Sequence, residues 1–343
     1  MNFYNNCTIN MKALSKSTNP YRGEAMNIET SKETIIAQKS IPKYKRKFKR
    51  IWKYRWQLAM ILPGFLLVFL FNYMPMVGIQ VAFKDYNIFE GIWTSAWVGF
   101  ENFYFLTDAE FWDVFSNTIW LTVIKFVFGF PAPIILALLL NEVRNETFKK
   151  WVQTLTYMPH FVSWIVVAYV IEALLSESSG LINELLVYLG MDRIYFMGSE
   201  EWFRPIIVIS SIWKEVGFSA IIYLAAIAGL NPQLYEAAIV DGANKWKQTL
   251  HVTIPGIMPT ICIMLILTIP NLMNAGFDQI YPLQNPINLP VSEVIDTYVV
   301  KTGLNQGYYG PATAIGLMTS IVQLMLVVGA NQLTKKYGNT RLF

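Results

Sequence analysis

Long apolar blocks separated by short polar connections dominate the chain. Six of them, at about 57–83, 115–140, 157–175, 205–228, 257–275 and 312–333, each run for about 20 residues or more. A helix rising 1.5 Å per residue needs about 20 residues to cross a hydrocarbon core of roughly 30 Å. Each block therefore predicts one membrane-spanning helix, and the expected fold class is an all-α membrane protein with six transmembrane helices. Residues 56–343 form the transmembrane domain, preceded by a polar tail, 1–55, that lacks apolar periodicity. Pro63 and Pro75 interrupt the first block, Pro131 and Pro133 the second, and Pro270 the fifth, while Pro159 opens the third. Such breaks weaken the backbone ladder and are tolerated where neighbouring helices or water satisfy the freed carbonyls, as around a cavity.

Composition removes the soluble alternative. Hydrophobic residues make up 54% of the 343 and charged ones only 15%, against about 25% charged in a soluble globule. The placement of the charges says more than their sum of +4. Most of the 27 Lys and Arg precede the first block, ending in Lys43, Lys45, Arg46, Lys47, Lys49 and Arg50, or lie in the second and fourth connections and at the C-terminal end. The first connection is acidic, with Asp85, Glu90, Glu101, Asp108, Glu110 and Asp113. The positive-inside rule then places both termini and the loops near 141–156 and 230–256 in the cytoplasm of a multi-pass cell-membrane protein. The basic tail reads as a topology anchor or as a site for anionic lipid or nucleic acid, with the anchor favoured by its position before a span. No cleavable signal is expected, because the first apolar run is long and no small-residue cleavage site follows it. Met11 and Met26 are alternative starts to Met1.

Enzyme chemistry finds little footing. No GxxxxGK[ST] phosphate loop is present, so any ATP must be bound by another subunit and no cofactor is expected here. Cys7 and Cys262 fall on the tail and in a span, and His160 and His251 lie far apart, so neither a disulfide framework nor a metal site is expected. No paired acidic motif marks a catalytic loop.

The connection between the fourth and fifth blocks is the most informative segment. From 231 to 259 it reads NPQLYEAAIVDGANKWKQTLHVTIPGIMP. Asn231 suits an N-cap and Pro232 the first helical position; Asp241 and Gly242 should end the helix through positive φ, and 243–250 should form a second short helix. Either a docking surface or a simple surface-lying connector fits this reading. Glu236-Ala237-Ala238, then three residues and Gly242, with Thr253-Ile254-Pro255 beyond, resembles the EAA loop of ATP-binding-cassette (ABC) importer permeases, Ile254 replacing the family's usual leucine before proline. Segments 72–103 and 276–286 resemble the LplB-like permeases for polysaccharide-derived oligosaccharides within the maltose-type superfamily, whose relatives serve alginate and rhamnogalacturonan-fragment import.

That resemblance implies a type I ABC importer permease fold with a cytoplasmic coupling helix between spans four and five. Glu236, Ala237, Ala238 and Gly242 would contact the ATPase, with Glu236 the charged contact. It also implies a second homologous permease, two ABC ATPases and an extracytoplasmic solute-binding lipoprotein as partners, with membrane lipid around the spans, no nucleic acid, and an oligosaccharide as cargo. His160, Ser163 and Trp164, in MPHFVSW, and Asn271, Asn274 and Phe277 resemble cavity-facing segments of maltose-type permeases. Sugar recognition needs hydrogen-bonding groups and aromatic faces, but helix-to-helix hydrogen bonding is an equal reading for each of these residues.

Lys214 and Glu215 are ionisable residues inside a span, where a charge costs roughly 2.5 to 3.5 kcal/mol, and should face protein or water. Adjacent on a helix they diverge by about 100° and are expected to find separate partners, Glu172, a second permease or substrate among them. Snorkelling toward the interface is the alternative for Lys214. Lys125 and Glu172 are weaker cases of the same kind. A permease for another solute class, a secondary transporter and a membrane-embedded glycosyl transferase remain the alternatives.

Overall fold

A computed structural model describes residues 52–337, with side chains as far as Gln332. Most of the basic tail, with Cys7, Met11 and Met26, lies outside the described residues. The chain divides after Leu70 into two units, the second being Phe71–Phe343. In the first unit, α1 (Arg55–Val68) has no buried residue although it is apolar all round, the pattern of a helix surrounded by lipid.

Among the described residues five helices are long and apolar enough to cross a membrane: Arg55–Phe83, Ala109–Glu142, Glu200–Ala228, Lys245–Met273 and Tyr309–Gln332. Glu146–Phe161 and Trp164–Leu175 are bent by 104° at their junction and make a sixth crossing only if the pair is counted as one broken span. The expected third span is thus not one rod. Pro159 lies in a 3-10 turn, Met158–Phe161, and Ser163 then starts a new helix by accepting a hydrogen bond from the Val166 N–H. Proline removes a ladder donor and a serine cap redirects the chain. Hydropathy registers neither effect.

The helical elements used below are α2 (Ala109–Gly129), α3 (Pro131–Glu142), α4 (Glu146–Tyr157), α5 (Trp164–Leu175), α6 (Leu181–Tyr188), α7 (Glu200–Ala228), α8 (Pro232–Val240), α9 (Lys245–Gln248), α10 (Ile254–Thr268), α11 (Phe277–Ile280), α12 (Ile295–Val300) and α13 (Tyr309–Tyr337). Helix α7 is central, packed by α2, α3, α4 and α10, while α13 packs on Met74–Phe83 and Ile269–Met273. Gly217 of α7 lets α4 come close, since a Cβ there would collide with the Thr156 backbone.

Prolines also account for several of the irregular turns. A π turn at Phe69–Tyr73 precedes Pro75, and one at Thr249–Thr253 precedes Pro255. Each proline displaces the carbonyl four residues back and frees a backbone acceptor. Pro270 opens the 3-10 segment Ile269–Met273 at the end of α10.

Three apolar clusters hold the second unit together. One gathers Phe105, Phe111, Met273, Tyr298 and Ile315; a second Leu121, Phe203, Ile207, Ile280 and Val294; a third Ala137, Ala220, Tyr223, Ile227 and Ile257 around α3, α7 and α10. Large apolar side chains such as Ile135, Leu139, Leu267 and Leu324 stay exposed, as expected where the solvent is hydrocarbon. Buried Asn288 and half-buried Asn285 fix the connector before α13: Asn288 donates to the Met197 and Leu283 carbonyls, and Asn285 donates to Met197 as well.

Candidate functional site

The connection between α7 and α10 has the local chemistry that its sequence dictates. Asn231 caps α8 by accepting the Gln233 N–H at 3.0 Å. At the other end the Ala243 N–H reaches the Ala238 carbonyl at 2.9 Å and the Gly242 N–H the Ile239 carbonyl at 3.0 Å. These two bonds form a Schellman cap, which needs the left-handed conformation that Gly242 supplies at φ 77°. Tyr235 Oη lies 2.9 Å from Thr253 Oγ1, tying α8 to the foot of the next span. The second short helix starts at Lys245 instead of Ala243, because Asn244 accepts the Lys247 N–H and acts as its cap. It does not stand apart either; α9 continues through the π turn into α10 as one helical run. Glu236, Ala237 and Gly242 are exposed and Ala238 is half-buried. Beside them stand two apolar residues that motif reading passed over, Val240 at 87% and Trp246 at 74% exposure.

The second constellation lies where the bent α4–α5 pair meets α7. Lys214 is only 5% exposed, so snorkelling is overturned. Its ammonium donates to the His160 carbonyl at 2.8 Å and lies 5.1 Å from the centre of the Trp164 ring. His160 Nδ1 donates to Glu215 Oε2 at 2.8 Å, and its ring stacks on Phe218 with centroids 4.0 Å apart. Lys214 Nζ and Glu215 Oε1 do approach each other, at 3.5 Å, contrary to the expected divergence. The two Cβ positions diverge, but the lysine stem is long enough to fold back. Both side chains then converge on His160, and exposed Glu172 takes no part. Ser163 serves as the cap of α5.

A cavity of about 420 Å³ opens against α7, lined by Lys125, Phe126, Glu215, Tyr223, Asn271 and Asn274 together with Ser211, Ser219 and Thr268. Sequence reading named Glu215, Asn271 and Asn274 among these, and Lys125 only as a weaker case of an intramembrane charge. The lysine projects from α2 and donates to the Ala275 carbonyl and to Gln279 Oε1, both at 2.9 Å. Gln279 lies 154 residues away in sequence, which left no local signal to find. Phe277 stacks on Tyr281 and lines a neighbouring cavity that shares Asn274 and also holds Asp296 and Gln323. Burial raises the Asp296 carboxyl above the usual carboxylate range, against the Ala275 backbone N–H that lowers it. His160, Trp164, Lys214 and Glu215 therefore form one cluster, Asn271 and Asn274 join Glu215 at the cavity, and Ser163 and Phe277 stand apart. Among the described residues no group of three His, Cys, Asp or Glu could hold a metal.

A multi-pass helical bundle with a cavity of mixed polar and apolar lining between its spans, and an exposed helical turn between two of them, is consistent with a solute-translocating membrane protein. The family described as binding-protein-dependent transport system inner membrane component matches residues 129–337, and the chain belongs to it. It is a transport permease, not an enzyme. The LplB protein of Bacillus subtilis (strain 168) is 43% identical over 290 residues, 84% of this chain and 91% of its own. The polygalacturonan/rhamnogalacturonan transport system permease protein YteP of the same organism is 46% identical over 312 residues, 91% of this chain and 97% of its own. The solved structure of a bacterial ABC transporter involved in import of the acidic polysaccharide alginate superposes with a TM-score of 0.80. There the identity is 40%, with 85% of this chain and 99% of that one covered. A second structure of the alginate transporter, in complex with an alginate pentasaccharide-bound periplasmic protein, gives the same TM-score and identity.

Proposed function

We propose that this chain is one of two permease subunits of an ABC importer for oligosaccharides derived from polysaccharides. A binding protein delivers the sugar from outside, and two separate ATPases drive alternating access. The observation that carries this reading is the cavity against α7. Its amides and hydroxyls supply the donors and acceptors that sugar hydroxyls need, and Phe126 and Tyr223 supply faces for their C–H surfaces. The exposed surface of α8, with Glu236, Ala237 and Ala238, fits the role of the ATPase contact. Glu236 there offers a carboxylate, Val240 and Trp246 offer apolar area, and the Gly242 cap holds the turn rigid. With that contact in the cytoplasm, both termini lie on the same side, in agreement with the positive charge bias.

The test is uptake of oligosaccharide by the complete importer in vesicles. Uptake should need ATP and the binding protein, and Asn271→Leu should lower it without changing assembly with the partners. Sugar uptake by the isolated chain, driven by a sodium or proton gradient, would defeat the proposal.

A further inference from the structure

The walls of the cavity carry two charged side chains, Lys125 and Glu215, and they are not equivalent. Glu215 is already matched, with His160 Nδ1 at 2.8 Å and Lys214 Nζ at 3.5 Å. Lys125 has no such match: among the described residues no carboxylate lies within salt-bridge distance of it, and its two partners are neutral oxygens. Those partners are also firmly oriented. The Gln279 amide is buried and its nitrogen donates to the Ile207 carbonyl at 2.7 Å and to Ser210 Oγ at 2.9 Å, which commits its oxygen to Lys125. The Ala275 carbonyl is presented by the turn at Gly276, whose φ of 95° suits glycine and whose Cβ, if present, would stand 3.2 Å from Lys125 Nζ. An ammonium has three donors; two are spent on this cradle and the third is left for the cavity. A charge inside a membrane protein is costly unless paired, and such residues commonly mark substrate or ion pathways.

We propose that Lys125 is the charge-selective residue of the cavity, its ammonium receiving the carboxylate of a uronic-acid unit as an acidic oligosaccharide passes. The proposal rests on the oligosaccharide reading above and narrows it to acidic substrates. Glu215, held by its own partners, would discourage a carboxylate from settling elsewhere in the cavity, so the anion would be directed to one wall.

The test compares a galacturonic acid trisaccharide with its fully methyl-esterified form in ATP-dependent uptake by the complete importer. Lys125→Met should lower uptake of the acid at least tenfold more than it lowers uptake of the ester, each relative to wild type. Because the same binding protein serves both probes, its own preference cancels in the ratio of variant to wild type. Lys125→Arg should keep acid uptake, and if Lys125→Met fails to assemble, the same ratio is read between Lys125→Arg and Lys125→Gln. Equal losses for both probes, or no loss for either, would overturn the proposal, and so would a wild type that imports only the ester. In that last case the oligosaccharide reading would stand. A wild type that imports no oligosaccharide of any kind, maltotriose included, would remove both.

Discussion

Two residues carry large consequences for their size. Gly242 occupies a left-handed conformation and donates its N–H to Ile239, so Gly242→Pro would lose both the φ and the donor. The variant is expected to reach the membrane and yet fail to couple ATP hydrolysis to uptake. Glu236→Lys, which reverses an exposed charge without touching the fold, should weaken co-purification of the ATPase; unchanged ATPase recovery with normal uptake would contradict the docking role. Asp296 makes a different case. Its carboxyl is raised by burial, so the folded state holds the proton more tightly than the unfolded chain does. Its contribution to stability falls as pH rises from the ordinary carboxylate range through the raised value. Asp296→Asn is expected to melt higher than wild type in detergent at neutral pH, with the gap closing as the medium is acidified through that raised value.

At the scale of elements, the junction of α4, α5 and α7 is the most sensitive. Gly217→Val would force α4 off α7 at Thr156, and overpacking of this kind typically costs about 1–3 kcal/mol or more. A marked drop in melting temperature and in yield is expected. Glu215→Leu should be worse tolerated than Glu215→Gln, because the amide keeps an oxygen that can accept from His160 while leucine leaves both His160 and Lys214 without any acceptor at this position; equal melting temperatures would argue against the cluster as a fastener. Such contrasts explain what was legible in the sequence. Hydropathy revealed the spans, because a lipid solvent demands long apolar runs, and the Asn231 cap and Gly242 stop fixed α8 to the residue. The bend in the third span was missed although Pro159 and Ser163 signalled it, because a span was counted by length alone. The start of α9 was misplaced by overlooking Asn244 as a cap. The contact between Lys125 and Gln279 was not legible at all, since only folding brings residues so distant in sequence together.

Across the second unit apolar side chains fill the core and also cover much of the outer surface, unlike the surface of a soluble domain. Apolar side chains such as Leu139 and Leu324 are exposed, while Lys125, Glu215, Asn271 and Asn274 line one shared cavity. The orientation proposed for this body predicts that Trp246→Cys, on the exposed turn, will be labelled by a membrane-impermeant thiol reagent only when the cytoplasmic side is open to it. Labelling in intact cells would invert the topology.

The unbroken helical run from Lys245 to Met273 has a mechanical meaning. Twenty-nine residues make a strut about 43 Å long at 1.5 Å per residue, with Trp246 at one end and Asn271 beside the cavity at the other. A strut tilted by about 10° about one end shifts the other by roughly 7 Å, more than the pitch of one helical turn. Its π turn, ahead of Pro255, joins two α-helical lengths, Lys245–Gln248 and Ile254–Thr268, and the 3-10 segment opened by Pro270 forms a second compliant joint at its cavity end. Movement imposed at the foot would therefore be steered at those joints before it reaches the cavity. Where the prolines stand would decide how much of a push becomes rotation and how much becomes bending.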